Sequence, residues 1–526
     1  MPKSTVYLTG AGPGDAKLIT VKGLELIKRA DCIVYDYLVN AELLKFAQSD
    51  CKLIYVGKKS GAHTLPQDKI NQLLVREARL YKVVVRLKGG DPFIFGRGAE
   101  EALYLKKHKI DFEIVPGVTS AIAVATYAGI PLTVRTQNST VGFITGNEDP
   151  TKKDSDIDWE ALSRSLGTMV FLMGIGNLEK IVGKLIESGK SPKTLVAIIR
   201  WGTTVKQKTV TGTLKNIVQL AKKNKIAPPA IIVVGEVVKF RKDLNWFEKR
   251  PLLGKRIVVT RTREQASALS EKLIDLGAEV IEIPVIKIVS LRVDKQLEEM
   301  FLQNEYDWVF FTSQNGVSEF AQFLNRAGKD SRIFDKAKVC AIGSETAKSL
   351  AAIGIRADYV PAQFCAEAVV EHFKGCYARP RFKHSRAGSS GHPGNSFMDF
   401  RLRGNDSKRA LILRAKQARD VLPDGLKELD FEVKVIDLYD TLPEKESASK
   451  LRECLKQGVD LVTFASSSSI KNFVGLLGKD YRRLLKGVSL ASIGSVTSAT
   501  IREYGLKVNK EAKVYTIDGL VEVIRK

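Results

Sequence analysis

The second half of the chain contains two copies of one sequence pattern, and this repeat restricts the possible folds more than any other feature. Residues 255–261, with the sequence KRIVVTR, align with residues 408–414, with the sequence KRALILR, at an offset of 153 residues. The same offset matches five further pairs, namely Asp307 with Asp460, Phe311 with Phe464, Ser313 with Ser466, Phe320 with Phe473 and Leu324 with Leu477. A register that persists across separate segments indicates a duplicated supersecondary unit. We therefore predict two similar α/β lobes with a cleft between them.

Hydroxyl side chains recur at matching positions of this repeat. At an offset of 151, residues 342–344 and Thr346 match residues 493–495 and Thr497. Ligands of open α/β sheets bind outside the carboxyl ends of the strands, and these residues follow strand-like runs. The pattern predicts that four side chains line the cleft: Ser313, Thr346, Ser466 and Thr497. Helix capping is the alternative for each of them, because Ser and Thr are common N-cap residues.

The first half alternates β-rich runs with helix-like stretches, which is typical of α/β layers. The predicted strands cover residues 5–9, 32–35, 53–56, 83–87, 112–115, 140–145, 169–172, 195–199 and 230–234. The segment 245–254 has the pattern of a linker. We therefore predict one domain over residues 1–247 and a second over residues 254–526.

Length and composition predict a folded chain of several domains. Its 526 residues exceed what one ordinary core accommodates. The chain is 44% hydrophobic and 27% charged, and no apolar run approaches the ~18 residues of a membrane span. The six cysteines form no CxxC pair, which predicts neither a disulfide framework nor a zinc site. We expect a cytoplasmic protein without a leader peptide, a metal ion or a membrane partner.

The net charge of +24 is compatible with two kinds of partner, a nucleic acid or an acidic small molecule. Much of the excess is local, because residues 374–409 contain nine Lys or Arg and two acidic residues. This stretch is poor in apolar residues, so we predict a basic insertion that does not belong to the core. The chain has no zinc-finger spacing, and its basic run lacks the interleaved aromatic residues of a single-strand binder. A nucleic-acid-binding protein is therefore the less favoured alternative.

Two glycine loops follow predicted strands of the first half. Residues 10–15, GAGPGD, follow the first strand, and Asp36 ends the second strand. A nicotinamide-dependent oxidoreductase is the obvious alternative, since its ribose-binding acid occupies such a position. The spacing is GxGxG, however, and Pro13 removes one backbone N–H from the loop. A second loop, GGDPFIFGRG at residues 89–98, has no counterpart in a classical dinucleotide fold.

These loops belong to a larger set of motifs that appear in a fixed order. The set comprises residues 10–15, 34–39, 56–59, 63–67, 86–98 and 116–121. Over about residues 4–245 the chain resembles the tetrapyrrole methylase family, in particular its uroporphyrinogen-III C-methyltransferase branch. The resemblance implies an α/β fold of two lobes and a homodimer through this half. It also implies that S-adenosyl-L-methionine contacts nine residues: Pro13, Gly89, Gly90, Asp91, Ile94, Thr119, Ser120, Met173 and Gly202.

The same resemblance implies roles for charged residues in methyl transfer. Asp36 is expected to be the proton acceptor and Lys58 a proton donor. The alternatives are a solvated strand end for Asp36 and a free surface charge for Lys58. Arg86, Lys88 and Arg97 are candidates for attracting the substrate's carboxylates, with surface solubility as the alternative.

The second half resembles uroporphyrinogen-III synthase over about residues 254–526. The similarity is carried by residues 258–261, 310–313, 341–343, 414, 419–423 and 515–520. It implies a two-lobed α/β fold that closes hydroxymethylbilane to uroporphyrinogen III, with the four hydroxyl side chains near substrate carboxylates. Tyr439 is expected to donate a hydrogen bond to the leaving hydroxyl, with a half-buried structural tyrosine as the alternative. The product of this half is the substrate of the first, whose methylation at C2 and C7 gives precorrin-2.

Overall fold

The computed structural model describes residues 4–57, 65–148, 155–260, 263–302, 306–334, 336–377 and 408–526. The chain divides into two compact units. The first comprises residues 1–257, 270–280 and 521–526, and the second comprises residues 258–269 and 281–520. Within the described ranges, no helix has both the length and the apolar character needed to cross a bilayer. All six cysteines are free thiols.

The first unit begins with a five-stranded parallel sheet of order β3-β2-β4-β1-β5. Its strands are β1 (Thr5–Gly10), β2 (Cys32–Tyr35), β3 (Lys52–Tyr55), β4 (Val83–Lys88) and β5 (Asp111–Val115). The helices that follow them are α1 (Val21–Arg29), α2 (Gln67–Ala78) and α3 (Gly98–Lys107). Separate apolar clusters cover the two faces of the sheet. Burial on both faces explains why the three central strands, β1, β2 and β4, are largely apolar runs.

A second five-stranded sheet, of order β6-β7-β10-β8-β9, completes this unit. Its strands are β6 (Val141–Thr145), β7 (Thr168–Leu172), β8 (Leu195–Arg200), β9 (Lys208–Thr213) and β10 (Ala230–Val234). The helices are α4 (Ser120–Tyr127), α5 (Trp159–Ser165), α6 (Leu178–Glu187), α7 (Ile217–Lys223) and α8 (Arg241–Leu244). All nine predicted strands of the first half are present. The sequence did not predict β9, an edge strand whose run KTVTGT is mostly polar.

The segment predicted to be a linker is packed against the first unit. Phe247 is buried, and its ring lies 4.8 Å from that of Tyr127. The Glu248 carboxylate accepts hydrogen bonds from Gln207 Nε2 at 2.9 Å and from Arg241 Nη2 at 2.5 Å. These contacts hold Phe247 and Glu248 in the first unit, and the prediction that residues 245–254 link two domains stays a prediction.

The second half contributes two five-stranded sheets, of orders β12-β11-β18-β19-β20 and β13-β17-β16-β14-β15. The strands are β11 (Arg256–Val259), β12 (Glu279–Glu282), β13 (Ile286–Ser290), β14 (Trp308–Phe311), β15 (Lys338–Ala341), β16 (Lys408–Ala415), β17 (Phe431–Pro443), β18 (Leu461–Phe464), β19 (Ser489–Ser492) and β20 (Lys510–Glu511). The helices are α9 (Arg263–Asp275), α10 (Asp294–Leu302), α11 (Gln314–Ala327), α12 (Ser344–Ala352), α13 (Ala366–Tyr377), α14 (Val421–Lys427), α15 (Ser447–Lys456), α16 (Ser467–Leu477), α17 (Tyr481–Leu484), α18 (Ser495–Glu503) and α19 (Ile517–Arg525). The predicted α/β class is therefore confirmed for both halves.

The two copies of the repeat do not form one sheet each. By the offset of 153, β11 is equivalent to β16, and β14 is equivalent to β18. One sheet contains β12-β11-β18-β19 and the other contains the equivalent order β17-β16-β14-β15. Each sheet therefore combines the first part of one copy with the second part of the other.

One antiparallel pair explains how the copies are related. Strand β13 pairs with the end of β17, and the register places Ile288 opposite Thr441. These two residues are themselves repeat equivalents at the offset of 153. An antiparallel pair centred on equivalent residues is an isologous contact, which defines a local pseudo-two-fold axis.

The predicted basic insertion at 374–409 lies mostly outside the described residues. Residues 374–377 end α13, and residues 408–409 begin β16. The prediction for the residues between them stays a prediction.

Candidate active site

A cavity of about 670 Å³ lies at the carboxyl ends of the strands in the first unit. One wall is formed by residues that come after three strands: Gly12–Gly14 after β1, Tyr37–Asn40 after β2, and residues between Gly89 and Gly96 after β4. The opposite wall is formed by residues at the ends of β7 and β8. This is where open α/β sheets bind ligands. All nine residues predicted to contact the cofactor line it: Pro13, Gly89, Gly90, Asp91, Ile94, Thr119, Ser120, Met173 and Gly202.

Glycines bring the two loops beneath the cavity together. Gly12 and Gly90 form an isolated bridge, in which Gly90 N donates to Gly12 O at 2.7 Å and Gly12 N donates to Gly90 O at 3.2 Å. A Cβ atom on Gly10 would lie 2.5 Å from Gly117 Cα and 2.6 Å from Gly90 O. The backbone therefore approaches itself too closely here for any side chain.

Asp91 organises the second glycine loop through backbone contacts. Its Oδ1 accepts from Phe93 N at 2.8 Å and from Ile94 N at 3.1 Å, while Oδ2 accepts from Gly117 N at 2.9 Å. Thr119, which is buried, caps α4 by accepting from Ala121 N at 3.3 Å. Both residues thus have an observed structural role beside the predicted one.

Strained backbone is concentrated around the cavity. Phe95, Met173 and Trp201 line it and have φ angles of 52°, 56° and 49°. Non-glycine residues in this region cost roughly 1–3 kcal/mol each, and such residues cluster at functional sites. Neither this strain nor the contact between Tyr37 and Trp201, whose ring centroids are 6.1 Å apart, could be predicted from the sequence.

Asp36 lies beside the cavity but is not part of its lining. Its Oδ1 accepts from Leu38 N at 3.3 Å, and its Oδ2 lies 3.5 Å from Arg86 Nη2. The side chain is 28% exposed, so it is neither buried nor a free strand end. Lys58, the predicted proton donor, lies outside the described residues.

Arg86 and Lys88 are buried, so they are not the exposed charges that the alternative of surface solubility would require. Their residues are 3% and 4% exposed, and both contact Glu101 Oε1, at 3.2 Å from Arg86 Nε and 2.9 Å from Lys88 Nζ. Arg97, in contrast, is at the surface and pairs with Glu100 at 2.7 Å.

In the second unit, the predicted serines are helix N-caps. Ser313 and Ser466 have nearly identical extended backbones, with φ of −162° in both. Ser313 Oγ accepts from Gly316 N at 3.1 Å, and Ser466 Oγ accepts from Ser469 N at 3.2 Å. Capping, the alternative given above, is therefore observed, while a hydroxyl at a helix N-terminus still faces that helix's free N–H groups.

The predicted threonines are the N3 residues of α12 and α18. Thr346 is 3% exposed and Thr497 is 4% exposed. Thr346 Oγ1 also donates to Ile342 O at 3.4 Å. Their burial leaves little hydroxyl surface for a ligand in this structure.

Tyr439 and Ser313 are brought together by the fold. The Tyr439 hydroxyl lies 2.8 Å from Ser313 Oγ, although the two residues are far apart in sequence. Tyr439 is 5% exposed, and burial raises the pKa of its phenol above the ordinary value, so the hydroxyl stays protonated at neutral pH.

Comparisons with known proteins match both halves. The family model of the tetrapyrrole (corrin/porphyrin) methylases matches residues 5–218, and that of uroporphyrinogen-III synthase HemD matches residues 267–387 and 376–522. The porphyrin biosynthesis protein HemD of Ruminiclostridium josui is 35% identical over 99% of this chain and 98% of its own length. The uroporphyrinogen-III C-methyltransferase of Methanocaldococcus jannaschii is 53% identical over 44% of this chain and 96% of its own length. A crystal structure of uroporphyrin-III C-methyltransferase from Thermus thermophilus with S-adenosylhomocysteine shares 36% identity, covers 45% of this chain and 94% of that chain, and has a TM-score of 0.39.

Two α/β domains of these kinds define an enzyme of porphyrin biosynthesis with two different catalytic halves. The chain belongs to the tetrapyrrole methylase family through its first half and to the uroporphyrinogen-III synthase family through its second half.

Proposed function

We propose that the first half methylates uroporphyrinogen III with S-adenosyl-L-methionine at C2 and C7, giving precorrin-2. The second half closes hydroxymethylbilane to uroporphyrinogen III and so supplies that substrate. The observation that carries the proposal is that one cavity, of about 670 Å³, is lined by all nine residues predicted to contact the cofactor. A homodimer through the first half and a cytoplasmic location belong to the same proposal.

The cavity fits a nucleoside-sized sulfonium compound. Its volume falls in the range of about 300–1,000 Å³ for sites that enclose small ligands. Apolar groups such as Leu172, Met173 and Ile199 form much of the lining, and the Met173 thioether offers a polarisable wall. Asn40, Asn147 and Thr204 supply polar groups that can orient the ligand.

The chain's own residues would contribute positioning and proton transfer. S-adenosyl-L-methionine, when bound, supplies an activated methyl group. The apolar walls keep water away from that group, and the loops after β1 and β4 hold it in place. Asp36 accepts the proton that the pyrrole ring loses after methylation, because its partly exposed carboxylate lies beside the cavity and near Arg86.

Ligand binding to the full chain tests this assignment. Calorimetry should show binding of S-adenosylmethionine or S-adenosylhomocysteine and no binding of NAD. Tight NAD binding without S-adenosylhomocysteine binding would favour the oxidoreductase alternative instead. A gel-shift at physiological ionic strength is expected to show no retained nucleic acid.

The coupled reaction tests both halves together. Hydroxymethylbilane alone should give uroporphyrinogen III, and addition of S-adenosylmethionine should convert it to a dimethylated product. Accumulation of only the type I isomer would contradict the synthase proposal.

In the second half, we expect Tyr439→Phe to lower the rate of type III isomer formation clearly. The substitution removes the protonated hydroxyl that lies 2.8 Å from Ser313 Oγ and keeps the ring in the core. Uncatalysed closure would then yield the type I isomer, and chromatography of the two isomers measures the ratio.

Tyr481→Phe is the matched control. Its hydroxyl donates to Tyr504 O at 2.8 Å and accepts from Arg482 Nε at 3.0 Å, so this variant also loses hydroxyl hydrogen bonds, each worth about 1 kcal/mol. Equal type III yields from both variants would assign Tyr439 to packing alone.

A further inference from the structure

A buried charge cluster lies in the first sheet behind Asp36. It comprises Glu101 on α3, Arg86 and Lys88 on β4, and Gln67 on α2. Glu101 is fully buried, and its Oε1 receives three donors: Arg86 Nε at 3.2 Å, Lys88 Nζ at 2.9 Å and Gln67 Nε2 at 3.1 Å. Its Oε2 is buried without a hydrogen-bond partner in the part of the chain that the structure describes.

Such a cluster is expensive to build. Burying each ion costs several kcal/mol after relaxation, and good pairing must compensate for that cost. Burial lowers the pKa of Lys88, and the neighbouring Arg86 lowers it further, while Glu101 opposes both effects. Because buried ion pairs are weak evidence for stability, the charges of this cluster suggest an effect on a neighbouring group.

That neighbour is Asp36. Strands β2 and β4 are adjacent, and Arg86 extends from β4 past the end of β2. Its guanidinium contacts Glu101 through Nε and approaches Asp36 Oδ2 to 3.5 Å through Nη2. Nη1 donates to Val34 O and Leu87 O, each at 3.3 Å, which fixes the plane of the guanidinium. Arg86 is therefore shared between two carboxylates, whereas Lys88 compensates Glu101.

We propose that Glu101 is a positioning residue for methyl transfer, which sets through Arg86 how strongly the proton acceptor Asp36 is held in its charged form. The inference rests on the proposed function, because it takes Asp36 as that acceptor. Glu101 itself does not line the cavity. Arg86, Lys88 and Tyr55 are among the charged or titratable groups that interact with Asp36.

Two substitutions should change the stability of the ionised Asp36 carboxylate in opposite directions. In Glu101→Gln, Arg86 loses its second carboxylate, so its charge acts on Asp36 alone and stabilises the ionised Asp36 carboxylate more strongly. In Lys88→Met, Glu101 loses one of its two cations and pairs more strongly with Arg86, so the ionised Asp36 carboxylate is stabilised less. A carboxylate that must be ionised to accept a proton gives an acid limb in the pH profile of turnover. The limb should move to lower pH in Glu101→Gln and to higher pH in Lys88→Met.

The experiment is the pH dependence of methyl-transfer turnover in the full chain between about pH 3 and pH 7, the range in which aspartate carboxylates ordinarily ionise. We expect shifts of about 0.5–1 pH unit of opposite sign, with S-adenosylhomocysteine binding retained as the readout of folding. Shifts of the same sign, or slower turnover with an unmoved limb, would overturn the inference. If Glu101→Gln does not fold, Lys88→Met alone decides, since an unmoved limb in that variant also overturns it.

Glu77→Gln is the matched control. Glu77 is likewise fully buried and shared by two cations, Lys52 at 2.8 Å and Arg76 at 2.8 Å, but it contacts neither Arg86 nor Asp36. Its substitution should lower the melting temperature without moving the acid limb. Wild-type turnover in Asp36→Asn would instead refute the role of Asp36, and with it the proposed proton transfer, independently of Glu101.

Discussion

Replacement of Asp36 by asparagine is expected to lower methyl-transfer turnover by about 10²-fold or more, while the affinity for S-adenosylhomocysteine stays close to that of the wild type. The amide keeps the shape of the side chain and its contact with Leu38 N, but it cannot accept the proton that leaves the ring. Because Asp36 is not part of the cavity lining, cofactor binding should not depend on its charge. Turnover is measured with uroporphyrinogen III, and affinity by calorimetry.

Asp50→Asn provides the control for this substitution. Asp50 is exposed and precedes β3, at the opposite end of the same sheet. It should leave turnover unchanged. Normal turnover in Asp36→Asn would return Asp36 to the role of a solvated strand end held by Arg86.

The strands could be predicted from the sequence because they depend on local signals, whereas the cavity residues were implied by the resemblance to the tetrapyrrole methylase family. Apolar runs bounded by turn residues mark the strands, and motifs in a fixed order mark the loops that meet at one sheet edge. Strand β9 was not predicted because an edge strand buries few side chains, and its mostly polar residues do not form an apolar run. Likewise, the positive φ of Met173 and Trp201 has no local sequence signal, because the surrounding structure imposes it.

Properties that depend on distant partners could not be predicted. The sequence left open whether Arg86 and Lys88 attract the substrate's carboxylates or are surface charges, and it did not predict that both are buried against Glu101 of α3. The repeat predicted two similar lobes, but not that each sheet would exchange half of its strands with the other copy. That exchange places β11 beside β18 and β14 beside β16, and both contacts join segments far apart in the sequence.

The largest loss of cofactor binding is expected from Gly10→Ala, although Gly10 does not line the cavity. The new Cβ would lie 2.5 Å from Gly117 Cα and 2.6 Å from Gly90 O, and both are backbone atoms that no rotamer change can move away. The backbone at Gly10 would have to move away from the loops after β4 and β5. This movement would disturb the bridge between Gly12 and Gly90, which joins the loops after β1 and β4. Overpacking of this kind costs about 1–3 kcal/mol or more. A displacement of about 1 Å in a binding loop can weaken function by about 10²-fold.

We therefore expect Gly10→Ala to bind S-adenosylhomocysteine about 10²-fold more weakly and to melt several degrees lower, by roughly 6–12 °C for a loss of about 3 kcal/mol. Gly183→Ala is the matched control, because Gly183 lies within α6 and its Cβ would meet only Glu187 Oε1, at 3.9 Å. Since alanine favours a helix over glycine by about 0.5–1 kcal/mol, this control should bind normally and melt no lower than the wild type. If Gly10→Ala bound S-adenosylhomocysteine as the wild type does, the contact of the three glycine loops would not set the geometry of the cavity, and the pocket would owe its shape to the second sheet instead.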